Sequence, residues 1–198
     1  MIPEYPLARD ELRRWRPQLR GDPETEDIMA FYRAVAPLLH RPCKVVEVGV
    51  SWGRSLIYAA AQLVERGVAG DLVYGVDPYL GPGDPATGHS SMWYAEALKS
   101  LSAHAAAAEM QLIGLLRLPS PHAALLFEDR SIDLVLIDGC HAPEAVRLDL
   151  AAWSPVVKMG GYLAGHDYTA EFPGVVRAVN DRFGKAVVQR GTVWVVQM

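Results

Sequence analysis

The chain reads as a doubly wound α/β protein whose mostly parallel sheet of seven strands closes in an antiparallel C-terminal hairpin. Three observations predict this. Short apolar runs alternate with segments of helical periodicity, the pattern of parallel strands covered by helices on both faces. The first run ends at Gly49, with Gly53 just beyond and a helical segment at once after it. Strand, glycine turn and helix together bring backbone close to a ligand in such folds. The last two runs, at 186–188 and 193–197, flank a turn near Arg190 and Gly191 and so pair as a hairpin.

Residues 1–24 are rich in charge and proline and read as an arm or lid outside a single domain over 25–198. Ile28, Phe31, Tyr32, Val35 and Leu38 recur at helical spacing, predicting a packing helix over 27–39. Strand one is 44–48, and a helix over 54–65 stops at Gly67. Strand two is 71–76, with Asp77 at its end. The stretch 78–91 carries three glycines and three prolines and reads as a long functional loop. An alanine-rich helix over 92–109 follows, then strand three at 111–115, strand four at 132–138, a helix beginning near Pro143, and strand five at 161–165.

At 198 residues the chain is long enough for one domain with a sizeable core, and 51% apolar with 21% charged residues is ordinary globular composition. A net charge of −4 argues against a nucleic-acid surface, which needs clustered lysine and arginine. Arg13, Arg14, Arg16 and Arg20 are partly balanced by nearby acids and read as a solvated face. Two cysteines, Cys43 and Cys140, suit a reducing cytoplasm and make no disulfide framework. No signal peptide is visible and no apolar stretch reaches the length of a membrane span.

Two constellations carry chemistry. The first is E-x-G-x-x-x-G-x-S, made by Glu47, Gly49, Gly53 and Ser55. A dinucleotide site wants G-x-G-x-x-G so that a pyrophosphate sits on the helix start; Ser51 stands where the second glycine would be, which counts against a nicotinamide-dependent oxidoreductase. The turn suits a ligand without phosphates. In the second, Asp138 and Asp167 each follow an apolar strand, at the sheet edge where ligands bind in open α/β folds. Two carboxylates brought together there repel unless a cation lies between them, and a hard divalent ion is the economical answer. Either acid alone reads better as a cap, Asp138 of a turn and Asp167 of a loop; it is the pair that points to an ion.

The first constellation resembles motif one of the S-adenosylmethionine-dependent methyltransferases, in its order much like the catechol O-methyltransferase group. The second extends the likeness. D-G-x-H from Asp138 to His141, the Gly160-Gly161 strand ending in His166-Asp167-Tyr168, and Phe172-Pro173-Gly174-Val175 leading to Val193-Trp194 are similar to the family of macrolide-sugar O-methyltransferases and cephalosporin-hydroxylase-like proteins. The likeness runs from about residue 27 to 198. It implies a Rossmann-like methyltransferase fold and a small hydroxylated acceptor (a sugar, phenol or natural product), and leaves a homodimer open. By position it implies a metal held by Asp138, His166 and Asp167. His166 departs from the family's usual acid, so either the ion is Mn²⁺, Zn²⁺ or Fe²⁺ rather than Mg²⁺, or His166 stands outside the ligand set.

His141 occupies the place of the catechol enzyme's catalytic lysine, implying a general base; capping the helix near Pro143 or supporting the metal is the competing role. The donor is expected on Gly49 and Gly53, with Asp77 on its ribose and Ser55 on the methionine carboxylate. Glu47 is expected to reach the ammonium, and Ser120 the adenine or merely a turn. Trp52 and Tyr79 wall the pocket or pack. The 78–91 loop, Trp93, Tyr94, Tyr168 and the arm are expected to close over the acceptor, while His89 and His104 read as surface residues. A catalytically silent cofactor-binding module remains a rival reading, and the two retained acids oppose it.

Overall fold

A computed structural model describes residues 12, 14–16, 19, 25–79 and 92–198. Helix α1 (Thr25–Val35) runs into a 3-10 turn (Ala36–Leu38), then come β1 (Lys44–Val48), α2 (Arg54–Val64) and β2 (Leu72–Val76). After the 78–91 stretch follow α3 (Met92–His104), α4 (Ala107–Met110), β3 (Ile113–Leu116), α5 (Ser120–Ala124) and β4 (Ile132–Ile137). The chain ends with α6 (Pro143–Trp153), β5 (Val157–Gly165), α7 (Pro173–Phe183), β6 (Val188–Arg190) and β7 (Val193–Gln197).

The seven strands lie in the order β3-β2-β1-β4-β5-β7-β6. Strands β1 to β5 are parallel, and β7 inserts antiparallel between β5 and β6. The doubly wound sheet and its antiparallel hairpin are therefore as predicted. The order reverses between β1 and β4, and the crevice beyond their carboxyl ends is where open α/β sheets take ligands.

Strand periodicity sorts the core onto two faces, since successive side chains point to opposite sides. Leu134 and Leu136 of β4 join Val45, Ile28, Phe31, Leu56 and Ile57 on the α1–α2 face. Val135 and Ile137 join Val46, Val48, Val146, Leu150, Trp153 and Val175 on the α6–α7 face, and Ile132 joins them because the register shifts between Ile132 and Leu134. All six residues of β4 are buried, which explains its unbroken apolar sequence. The same alternation turns Glu47 toward α1 and α2, away from Val46 and Val48.

Several boundaries differ from expectation. The helix expected over 27–39 is helical from Thr25 and tightens to 3-10 after Val35. The one expected over 92–109 breaks after His104 and restarts at Ala107. Glu109 accepts the Ala106 N–H at 2.9 Å, and Arg16 bridges the break by donating to the His104 carbonyl and to both Glu109 oxygens. Strand five begins at Val157, and the strand expected at 186–188 begins only at Val188, after a 3-10 turn. Helix α7 was not anticipated. Of the arm, Leu12 and Leu19 are buried in the core of the α1–α2 face, and Trp15 meets Tyr58 edge-on at 4.8 Å. Residues 1–11, 13, 17, 18 and 20–24 of the arm and residues 80–91 of the loop, with His89, lie outside the described residues.

Candidate active site

The turn after β1 is built by close backbone approach. Gly49 (φ +88°) donates to the Val76 carbonyl at 2.8 Å, and a Cβ placed on it would stand only 1.9 Å from the Asp138 carbonyl oxygen. Any side chain here would push the turn off the end of β4. Gly53 (φ +80°) then opens α2 in a left-handed conformation that suits glycine. Asp77 pins this turn: one carboxylate oxygen accepts from Val50 N (3.1 Å) and Ser51 N (3.2 Å), the other from Tyr79 N (2.9 Å). A ribose there would have to share a carboxylate already engaged by backbone.

Glu47 and Ser55 face each other beneath the turn. Glu47 is fully buried and accepts from the Tyr32 hydroxyl at 2.7 Å and the Ser55 hydroxyl at 2.8 Å. Burial pushes its carboxyl up to about 8, against the pull of those two hydrogen bonds. Ser120, at the start of α5, accepts from Trp153 Nε1 at 2.8 Å and hydrogen-bonds Asp149, whose carboxyl burial raises to about 6. Its hydroxyl thus ties α5 to α6 rather than standing apart. Tyr79 is buried and packs on Tyr94, with ring centroids 5.2 Å apart.

Across the crevice, β4 and β5 deliver the acids and histidines together. Asp138 N still bonds the Val48 carbonyl (2.7 Å) and His166 N the Ile137 carbonyl (3.0 Å), so both strands hold register to their last residue. Asp167 then adopts φ +58°, a left-handed conformation that costs a non-glycine residue about 1–3 kcal/mol and recurs at functional sites. His166 Nδ1 lies 3.3 Å from Asp138 Oδ1 and 3.2 Å from Asp167 Oδ1. Burial opposes charge on His166, but the hydrogen bonds and charges of the two acids prevail and raise it to about 10. Asp167 is held below the usual carboxylate range: burial works against this, and His141 and His166 outweigh it.

His141 Nε2 sits 2.7 Å from Asp167 Oδ2, and its ring lies 4.3 Å from that of Phe172. Gly174 explains the neighbouring motif. A Cβ there would meet Pro143 at 2.7 Å, so the starts of α6 and α7 interlock beside His141.

Asp138, His166 and Asp167 each offer a ligand atom within 4.8 Å of the others. Oxygens around Mg²⁺ at about 2.1 Å are at most about 4.2 Å apart, so the three atoms are close to a shared ion's reach and would draw in slightly. Two carboxylates and one imidazole suit Mn²⁺, Fe²⁺ or Zn²⁺ better than Mg²⁺, provided His166 Nδ1 carries no hydrogen. The donor set fits a divalent ion. The His166 ring lies between the two acids.

A family profile described as a methyltransferase domain matches residues 46–168, more than half of the chain and the whole span from the glycine turn to the acids. The chain belongs to this methyltransferase family. S-adenosylmethionine is the implied donor. A search of curated proteins finds no match. Among solved structures this methyltransferase is similar to CalS11, the calicheamicin TDP-rhamnose 3'-O-methyltransferase, at TM-score 0.67 and 20% identity over 98% of this chain and 86% of that one. The O-methyltransferase NovP gives 0.56 at 18% identity over 87% and 79%. An rRNA methylase from Streptococcus thermophilus gives 0.58 at 14% over 85% and 95%. At such identities the likeness speaks for the fold. No helix among the described residues of this methyltransferase is long and apolar enough to cross a membrane.

Three residues that sequence reasoning did not single out for the site complete it. Tyr32 supports Glu47 from α1, and Asp27, also on α1, reaches Thr192 in the β6–β7 turn, which in turn meets His166. Their signal was faint: Asp27 and Tyr32 stand among other polar residues, Thr25, Glu26 and Arg33, on a helix that is buried over most of its length.

Proposed function

We propose that the protein transfers a methyl group from S-adenosylmethionine to a hydroxyl of a small molecule, with a divalent cation held by Asp138, His166 and Asp167. The observation that carries this reading is the grouping of those three residues with His141 at the sheet edge, against the glycine turn through Gly49 and Asp138. The cation would lower the pKa of an acceptor hydroxyl. His141 takes the hydroxyl proton. The Asp167 carboxylate, 2.7 Å from its Nε2, stabilises the imidazolium that forms. The new O–C bond forms as the C–S bond breaks, and the sulfur keeps the electron pair. Most of the rate comes from holding donor and acceptor in line, which contributes about 7–11 kcal/mol in well-oriented reactions.

The small, hydroxylated class of acceptor is supported by a net charge of −4, which disfavours a polyanionic substrate, and by the aromatic residues Tyr94, packed on Tyr79, and Tyr168, next in sequence to Asp167. Catechols and deoxysugar nucleotides are the first acceptors to assay, with methyl transfer followed from labelled donor. Chelator-treated protein is expected to lose transfer and regain it with Mn²⁺. His141→Ala is expected to lower turnover by about 10²-fold or more while calorimetric affinity for S-adenosylmethionine stays near the parent value. Full activity in excess chelator overturns the metal assignment, and parental turnover in the variant overturns the base.

A further inference from the structure

Thr192 Oγ1 stands 2.9 Å from Asp27 Oδ2 and 2.7 Å from His166 Nε2. The same Asp27 oxygen accepts the Thr192 backbone N–H at 3.0 Å, so it is an acceptor in this pair. A hydroxyl has a single hydrogen. Thr192 gives it to Asp27, and its oxygen is then an acceptor toward the ring. His166 Nε2 must therefore be the donor. A ring without a hydrogen on Nε2 would set two lone pairs against each other across this 2.7 Å, part-buried contact. With Nε2–H committed to Thr192, it is Nδ1 that faces Asp138 and Asp167.

We propose that Asp27 and Thr192 are positioning residues that lock the His166 ring with its hydrogen on Nε2 and aim Nδ1 into the Asp138–Asp167 cleft. The inference deepens the cation reading above and rests on it for its consequence: a neutral ring so held offers Nδ1 as a ligand. Histidine ligands whose other nitrogen donates to a fixed partner bind metal more tightly, and loss of such a partner costs roughly 10–100-fold in affinity. The device also makes α1 part of the site. Asp27 is 2% exposed and reaches His166 through Thr192 of the β6–β7 turn.

The test uses the full chain, with Mn²⁺ alone as the probe, followed by electron paramagnetic resonance. Ring-nitrogen NMR of His166 in metal-free protein is the second readout. Thr192→Val, which keeps the shape and removes the hydroxyl, is expected to weaken Mn²⁺ binding by about 10-fold or more and to abolish the protected Nε2–H signal. Thr192→Ser is expected to restore both, which a purely structural role for the methyl group would not do. Asp27→Ala leaves the Thr192 hydroxyl free to rotate and is expected to lose the protected Nε2–H signal and to weaken Mn²⁺ binding as Thr192→Val does; it serves also if Thr192→Val does not fold. Parental ring signals in both Thr192→Val and Asp27→Ala, or failure of Thr192→Ser to restore them, overturn the relay. Absence of Mn²⁺ binding in the parent overturns the cation reading instead, and the ring signals still decide the relay.

Discussion

At Glu47, burial lifts the carboxyl to about 8 although Tyr32 and Ser55 both donate to it. The folded value stands above the unfolded one, so between about pH 4.5 and pH 8 the native state holds a proton that the unfolded chain has released. Stability therefore falls as pH rises through that window. Asp149, raised to about 6, adds a loss of the same sign at its lower end, and His166, raised to about 10, extends the decline to higher pH. Glu47→Gln keeps the shape and an acceptor oxygen but removes the titration. Denaturant melts at intervals from pH 5 to 8 are expected to show a shallower decline in this variant than in the parent. Equal slopes would mean that Glu47 is already ionised in the native protein.

Among the elements, the turn between β1 and α2 is the least tolerant of change, and two glycines separate space from conformation. Gly67, just beyond α2, has φ +63° with nothing within 4 Å of an added Cβ. Gly67→Ala meets only the left-handed penalty, about 1–2 kcal/mol. Gly49→Ala meets that penalty and the Asp138 carbonyl as well, so thermal melts are expected to show a far larger loss, with donor affinity lost alongside. Similar melting temperatures for the two variants would mean that the turn relaxes away from β4. Glycines, strand ends and acids of this kind were legible in the sequence because each obeys a local rule: apolar run, glycine, carboxylate. Helix α7 was not, because Pro173-Gly174 reads as a turn; here the proline sits within the first helical turn and the glycine makes room for Pro143. Nor was the break after His104, since a run of alanines has uniform helix propensity and the cause is Arg16, distant in sequence.

Across the whole molecule, α1 braces both halves of the crevice. Its Tyr32 supports Glu47 under the donor turn, and its Asp27 holds Thr192 and through it His166 beside the acids. No sequence motif could reveal this, because the partners lie on β1 and in the β6–β7 turn and meet only once the sheet has formed. The helix packs against α2 through Ile28, Phe31 and their neighbours in one buried cluster, which gives it a rigid seat. A rigid brace predicts independence. Tyr32→Phe removes one hydrogen bond to Glu47 and is expected to cost about 1–3 kcal/mol of stability and to weaken donor binding, leaving Mn²⁺ affinity unchanged. Thr192→Val is expected to do the reverse at the two ligands. If α1 does not move, the stability losses of the double variant sum to within about 0.5 kcal/mol, as for sites that share no partner. A larger coupling in that cycle would mean instead that the helix shifts as a body, so that occupancy of the donor turn is felt at His166.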